Sequence, residues 1–339
     1  MSKLKSLFFF AFLALLGAAM TTPAQAAEVT GAGASFPYPV YSAWAMSYQK
    51  ATQNRVNYQS IGSGGGIKQV KEGTVDFGAT DDPLTQTDLE AANLIQFPAV
   101  VGGVVAVVNI KGVAQDQMIL SGEVLADIFL GTITTWDDPA IKALNPSLNL
   151  PAAKISVIYR SDSSGTSAIF TTYLAAKSKK WKEKVGAGKS VNWPTGLGSK
   201  GNDGVSANVK RMENAISYTE YAYALQSNLA TVAIINESGQ PVKPNATTFT
   251  AAADQANWDQ SQGYYLWLVN TPGADSWPIA AATYILVKKG DSAVLGRVTD
   301  FFKWSFANGD AEAKQLHYVP LPDSLKKDIS SYWQKAGVK

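Results

Sequence analysis

The 339-residue chain contains no cysteine and only one histidine. The first absence excludes disulfides, thiolate metal ligands and lipid attachment through an N-terminal cysteine. The second leaves a zinc site to carboxylates almost alone, and it leaves serine-based hydrolysis a single candidate for its usual general base. His317 stands between Leu316 and Tyr318, a setting that suits a packed residue better than a catalyst. Internal repeats and low-complexity tracts are missing too. Long apolar runs are scarce: Leu7 to Met20 is the longest, and it falls short of the ~18 to 20 residues that a membrane span needs. With Lys3 and Lys5 before it and Ala24-Gln25-Ala26 after it, this run predicts a cleavable secretory signal over residues 1–26, cut after Ala26. The expected destination is the periplasm.

An excess of charge is also lacking. The chain carries 29 basic and 27 acidic residues, and loss of residues 1–26 removes two lysines and no acid, leaving 27 of each. A neutral mature protein has no electrostatic footprint for nucleic acid. Its length suits two lobes better than one compact core.

Strand-like and helix-like segments alternate through the mature chain, the pattern of α/β architecture with largely parallel sheets. Three strand-to-helix junctions share one layout. "AEVT" leads through "GAGASFP" into a helix with Val40, Trp44 and Tyr48 on one face. "RVNYQSI" leads through "GSGGG" into a short helix containing Ile67 and Val70. "KISVIYR" leads through "SDSSGTS" into a helix with Ile169, Phe170, Tyr173 and Leu174. Each junction places small hydroxyl or glycine residues at a helix start, where unpaired N–H groups and the positive end of the helix dipole suit an anion. One such loop is an ordinary cap. Three of them, with Arg160 at one strand end and Asp81 and Asp82 at another, point to a small bound oxyanion, because open α/β sheets gather ligand groups at the carboxyl ends of their strands.

The Val- and Ala-rich run from Gln96 to Ile110 is longer than an ordinary strand, and it predicts two strands meeting at Gly102-Gly103. This run and the segment around Pro272-Gly273 are the candidate crossings between lobes. The tail, with Phe301, Phe302, Trp304, Tyr332 and Trp333, predicts helices.

Familiar phosphate motifs fit poorly. "GAGKS", Gly186 to Ser190, has Glu183 where a Walker loop needs glycine, and charged "KWKEK" rather than a strand precedes it. "GLGSKG", Gly196 to Gly201, matches G-x-G-x-x-G but follows Trp193-Pro194, a poor buried parallel strand, so it reads as a surface loop ahead of a helix near Asp203. Ser63 has Ile61 rather than glycine two residues before it, so it is no nucleophile elbow. The tyrosines of "YTEYAYA" read as packing residues.

Taken together, "GAGASFPYPVY", "IGSGGG", "VDFGATDDPL", "QFP" with "GGVV", "RSDSSGTS" and "GNDGV" resemble the periplasmic phosphate-binding proteins that feed the bacterial high-affinity phosphate ABC transporter. The resemblance runs through essentially the whole mature chain. It implies a type II periplasmic-binding fold: two α/β lobes, each a mostly parallel sheet flanked by helices, with the ligand in the cleft between them. One lobe would hold residues 27–100 with 272–339 and the other 101–271. The implied phosphate ligands are Ser35, Phe36 through its backbone N–H, Ser63, Asp81, Arg160, Ser164, Gly165 and Thr166, with Asp162 holding Arg160. Asp81 makes sense beside an anion if the ligand keeps a proton that Asp81 accepts, and Asp82, one residue on, would point elsewhere. The resemblance implies no enzymatic activity, no cofactor and no metal. Its partners would be inorganic phosphate and an inner-membrane ABC permease, and the protein would be a monomer closing by hinge bending. The alternatives are a secreted phosphatase or phosphoryl-transfer enzyme using the same cradle, and a binder of another oxyanion such as sulfate or molybdate.

Overall fold

The short β-rich segments expected before each Ser/Gly loop do form strands, and the apolar-faced segments after them form helices. The computed structural model describes residues 28–337. The export signal expected over residues 1–26 lies outside the described residues.

Among the described residues, nine strands join in one sheet. In chain order they are β1 (Glu28–Gly33), β2 (Arg55–Ser60), β3 (Phe77–Thr80), β4 (Leu94–Asn109), β5 (Ser156–Arg160), β6 (Leu197–Ser199), β7 (Ala215–Glu220), β8 (Ala230–Thr231) and β9 (Ala280–Lys288). Their spatial order is β2-β1-β3-β9-β4-β7-β5-β6, with β8 pairing on β4. β1 runs parallel to β2 and β3, and β5 runs parallel to β6 and β7, so each half of the sheet has a parallel core. β4 and β9 are the antiparallel seam. The helices that bear on the site are α1 (Tyr38–Thr52), α2 (Ser63–Glu72), α3 (Gly165–Lys177), α4 (Gly201–Arg211) and α5 (Tyr221–Gln226). The aromatic tail forms α6 (Ser292–Asn308) and α7 (Asp323–Lys335). There Phe302 packs on Tyr41, Phe77 and Phe97, and Trp333 on Phe97.

The structure corrects two expectations. The Val- and Ala-rich run does not break at Gly102-Gly103; it is one 16-residue strand. What changes there is the partner: Leu94 to Gly103 pair with β9, and Val104 to Asn109 pair with β7. The two glycines are needed for room rather than for a turn. A Cβ on Gly102 would stand 2.9 Å from the Phe36 ring, and one on Gly103 would collide with Phe249. Nearly the whole strand is buried, so both halves of the molecule hang on one continuous hydrogen-bonded rod. The second correction concerns "GLGSKG", which is not only a loop. Leu197 to Ser199 form an edge strand parallel to β5, and the helix after it starts at Gly201 rather than near Asp203. An edge position explains why the approach through Trp193-Pro194 did not read as a buried strand.

Candidate functional site

Each expected site residue lies where a strand hands over to a helix. Ser35 and Phe36 follow β1, Ser63 opens α2, Asp81 follows β3, Arg160 ends β5, and Ser164, Gly165 and Thr166 begin α3. Ser35, Phe36, Ser63, Ser164 and Thr166 are buried, as are Asp81 and Arg160, each at most 3% exposed. Burial of both an acid and a guanidinium at strand ends is costly unless each has a purpose there.

Hydrogen bonds tie the set together across the two halves of the sheet. Ser63 Oγ accepts from the Asp81 N–H at 3.2 Å and from the Gly165 N–H at 3.1 Å. Gly165 has to be glycine here: a Cβ would lie 2.6 Å from Asp81 Oδ2 and would also strike Ser63 Oγ. Ser164 caps α3, its Oγ accepting from the Ser167 N–H at 3.0 Å. Arg160 donates from Nε to Asp162 Oδ1 at 2.7 Å and from Nη2 to Asp162 Oδ2 at 2.5 Å, a bidentate pair, while Nη1 reaches Thr166 Oγ1 at 3.4 Å. Asp162 also accepts from the Gly201 N–H at 3.1 Å. Burial acts to raise the Asp162 carboxyl, but the Arg160 hydrogen bonds and charge, with that N–H, outweigh it and hold the group below the usual carboxylate range. Asp162 is therefore a fixed anion that aims the guanidinium and tempers its charge.

No side chain caps α1, α2 or α4. The first N–H groups of α1 and α2 thus have no side-chain competitor for an anion, whereas those of Gly201 and Asn202 in α4 are engaged by Asp162 and Ser35. The hydroxyls are donors for a second reason. Ser63, Ser164 and Thr166 each have an oxygen already accepting from N–H groups, so what remains to offer is mainly the proton. Against this donor-rich lining stands Asp81, and among the described residues neither of its carboxylate oxygens has a hydrogen-bond partner. Burial pushes its pKa up to about 7; Thr283 and Arg160 oppose the rise, Asp82 adds to it, and Ser63 opposes it. The arrangement can enclose a small, dehydrated, tetrahedral oxyanion with many acceptor sites and one proton to give.

Five residues near the site were not singled out from the sequence. Asn202, fully buried at the start of α4, donates from Nδ2 to Ser35 Oγ at 3.0 Å and to Thr166 Oγ1 at 3.2 Å. It opens the helix after "GLGSKG", and the same strand-to-helix layout used for the other three junctions would have found it. Tyr223, read only as packing, donates from its hydroxyl to the Ser35 carbonyl at 2.7 Å. Tyr318 donates to the Phe36 carbonyl at 2.7 Å and lies 2.9 Å from Glu220 Oε2. One hydroxyl proton cannot serve two acceptors. Glu220 resolves this if protonated, and burial, reinforced by the Asp81 charge and opposed by the Ala222 and Tyr223 N–H groups and Tyr318, pushes its pKa up to about 8. The last is Lys189, inside the rejected "GAGKS" stretch. Its ammonium pairs with Asp82, and its carbonyl accepts from the Ser164 N–H at 3.0 Å. Asp82 thus points to Lys189 rather than sharing the role of Asp81.

Lys189 and Asp82 are both partly exposed, so their attraction is screened and contributes about 0.2–1 kcal/mol. Because the pair bridges the two sides of the cleft, Lys189→Met is expected to speed ligand release roughly two- to fivefold at low salt, and less at high salt. Stopped-flow release measured at two ionic strengths checks this; an unchanged rate would mean that the pair does not restrain opening.

A cleft of helix starts, straddled by one continuous strand and closed by side chains from both halves of a sheet, defines a two-lobed solute-binding protein. Residues 18–308 match the model of the PBP superfamily domain. The chain is 50% identical over 324 residues to the phosphate-binding protein PstS of Pasteurella multocida, covering 95% of this chain and 94% of that one. It is 48% identical over 320 residues to the phosphate-binding protein PstS of Xylella fastidiosa (strain 9a5c), covering 92% and 88%. A high-affinity periplasmic phosphate-binding protein, PfluDING, solved with phosphate bound, shares the fold with a TM-score of 0.71 at 24% identity, over 90% of this chain and 93% of that one. The chain belongs to the PstS phosphate-binding protein family.

Proposed function

We propose that this protein is a periplasmic receptor for inorganic phosphate, which it binds between its lobes and delivers to an inner-membrane ABC permease, acting as a monomer and not as an enzyme. The observation that carries the ligand assignment is the pairing of a donor-rich cradle with one buried acid, Asp81, whose oxygens have no partner among the described residues. Phosphate near neutral pH retains at least one proton for that acid. Ser35, Ser63, Ser164 and Thr166 donate from their hydroxyls, Phe36 from its backbone N–H, Gly165 from an N–H that it shares with Ser63 Oγ, and Arg160 from its guanidinium.

The lobes are residues 27–100 with 272–339, and 101–271. The change of partner along β4 at Gly103/Val104 supports a hinge near that boundary. The PstS names of close relatives support the transport role, and the short apolar run ahead of Ala26 supports export. No helix of the described residues is long and apolar enough to cross a membrane.

Calorimetry on purified, phosphate-stripped protein tests the reading. Phosphate is expected to bind one to one, sulfate to bind far more weakly, and p-nitrophenyl phosphate to remain unhydrolysed with or without divalent metals. Comparable sulfate binding would favour a general oxyanion receptor, and turnover would favour an enzyme.

A further inference from the structure

Asn202 is a buried amide that touches hydroxyls on both sides of the cleft. Its orientation follows from a neighbour that can only donate. The Glu220 backbone N–H points at Oδ1 at 3.4 Å, so the oxygen faces Glu220 and the NH2 faces Ser35 and Thr166. Thr219 Oγ1 also lies 3.3 Å from Oδ1. The backbone N–H of Asn202 itself reaches Ser35 Oγ at 3.3 Å. Ser35 Oγ therefore accepts twice from Asn202, and Thr166 Oγ1 accepts from Asn202 and from Arg160.

A hydroxyl has one proton and two lone pairs. Once its lone pairs are occupied by N–H groups, its proton is directed away from them and it cannot accept from a ligand. We propose that Asn202 is a positioning residue that locks Ser35 and Thr166 as donors, so that both hydroxyls reject any proton on the anion and leave Asp81 to receive it. Asn202 does this without touching the ligand; it shares a lobe with Thr166, so its bonds to Ser35 on the other lobe form only when the lobes come together. It thus links the donor polarity of the cradle to closure of the cleft. The inference rests on the phosphate reading given above.

The consequence is a dependence on ligand protonation. With Asn202 in place, dihydrogen phosphate brings a second proton that only Asp81 could take. Without it, the freed hydroxyls can turn and accept that proton. Asn202→Leu, which keeps the approximate bulk and loses the NH2, should then weaken phosphate binding on the order of tenfold at pH 8 and distinctly less at pH 5.5. The titratable groups around Asn202 are Glu220, Asp81, Asp203, and the Arg160–Asp162 pair reached through Thr166 and Gly201. All are present in parent and variant, so the comparison is made between the two at each pH.

A mutant cycle supplies the second reading. If Asn202 acts through the two hydroxyls, Asn202→Leu should cost little further affinity in a Ser35→Ala/Thr166→Val background. Calorimetric titration with inorganic phosphate measures both, after thermal melts establish folding. Should the Leu variant not fold, Asn202→Asp keeps the shape and the acceptor for the Glu220 N–H, and its loss must be smaller in the double-variant background than in the parent. A loss of the same factor at both pH values, or of the same factor in both backgrounds, overturns the role of Asn202 while leaving the phosphate reading intact. Failure of the parent itself to bind phosphate overturns both.

Discussion

Arg160→Ala is expected to lower phosphate affinity on the order of 10²- to 10³-fold, because two losses coincide. The variant forfeits a charge-assisted donor, worth about 1.5–3 kcal/mol. It also strips Asp162 of both guanidinium hydrogen bonds, leaving a largely buried carboxylate near an incoming anion. Breaking a buried pair by removing one partner costs about 3–5 kcal/mol, and each 1.4 kcal/mol is tenfold in affinity. The two effects separate in a second variant. Arg160→Ala/Asp162→Ala removes the stranded charge and should recover part of the affinity. Calorimetry on both checks the pair: unchanged binding in the folded single variant would place Arg160 outside the site, and no recovery in the double variant would mean that Asp162 does no more than aim the guanidinium.

Asp81→Asn should collapse the preference for phosphate over sulfate, by about 10²-fold if the repulsion removed is a few kcal/mol. A carboxylate facing a fully deprotonated oxygen puts two acceptors and two like charges together without water between them. An amide can donate to that oxygen instead. Competition binding with both anions reads the ratio, and a ratio equal to the parent's would end the assignment of Asp81 as the acceptor.

The same substitution has a consequence for stability, with a definite sign. Asp81 has a folded pKa near 7, raised from the ordinary carboxylate range by burial in the first place. The folded form therefore binds the proton more tightly than the unfolded chain, and the stability this contributes is lost as pH rises from about 4 through about 7. Ligand-free Asp81→Asn should melt higher than the parent at pH 8, with the gap closing below about pH 4. Thermal melts across that range check the sign. A site that selects its ligand at the expense of the stability of the free protein is what a buried unpartnered acid implies.

Much of this site was legible because its chemistry sits at junctions of local structure. A strand rich in β-branched residues, a Ser/Gly/Thr loop and an apolar-faced helix are each written within a dozen residues, and a helix start offers N–H groups whatever lies beyond it. Arg160 and Asp162 are two residues apart, and the family resemblance implied the pairing that the structure shows. Lys189 was passed over because it sits in a motif rejected as a self-contained phosphate loop, and Asn202 because it stands one residue past another. Their partners, Ser35 and Thr166 for one and Asp82 for the other, are far away in sequence. Tyr223 looked like a packing residue, and Glu220 and Tyr318 drew no reading, because nothing near them in the chain needs a proton.

The sequence by itself determined the alternation of strands and helices, the small-residue helix starts and the acids at the end of β3, since each depends on neighbours within one or two turns of chain. Only the tertiary structure decided that Gly102-Gly103 make room for Phe36 and Phe249 instead of breaking a strand, and which lone pairs Asn202 occupies. Those outcomes depend on side chains brought together from distant segments. Local spacing carries no information about which ring will lie against a strand, or which N–H will face a hydroxyl from the other side of a cleft.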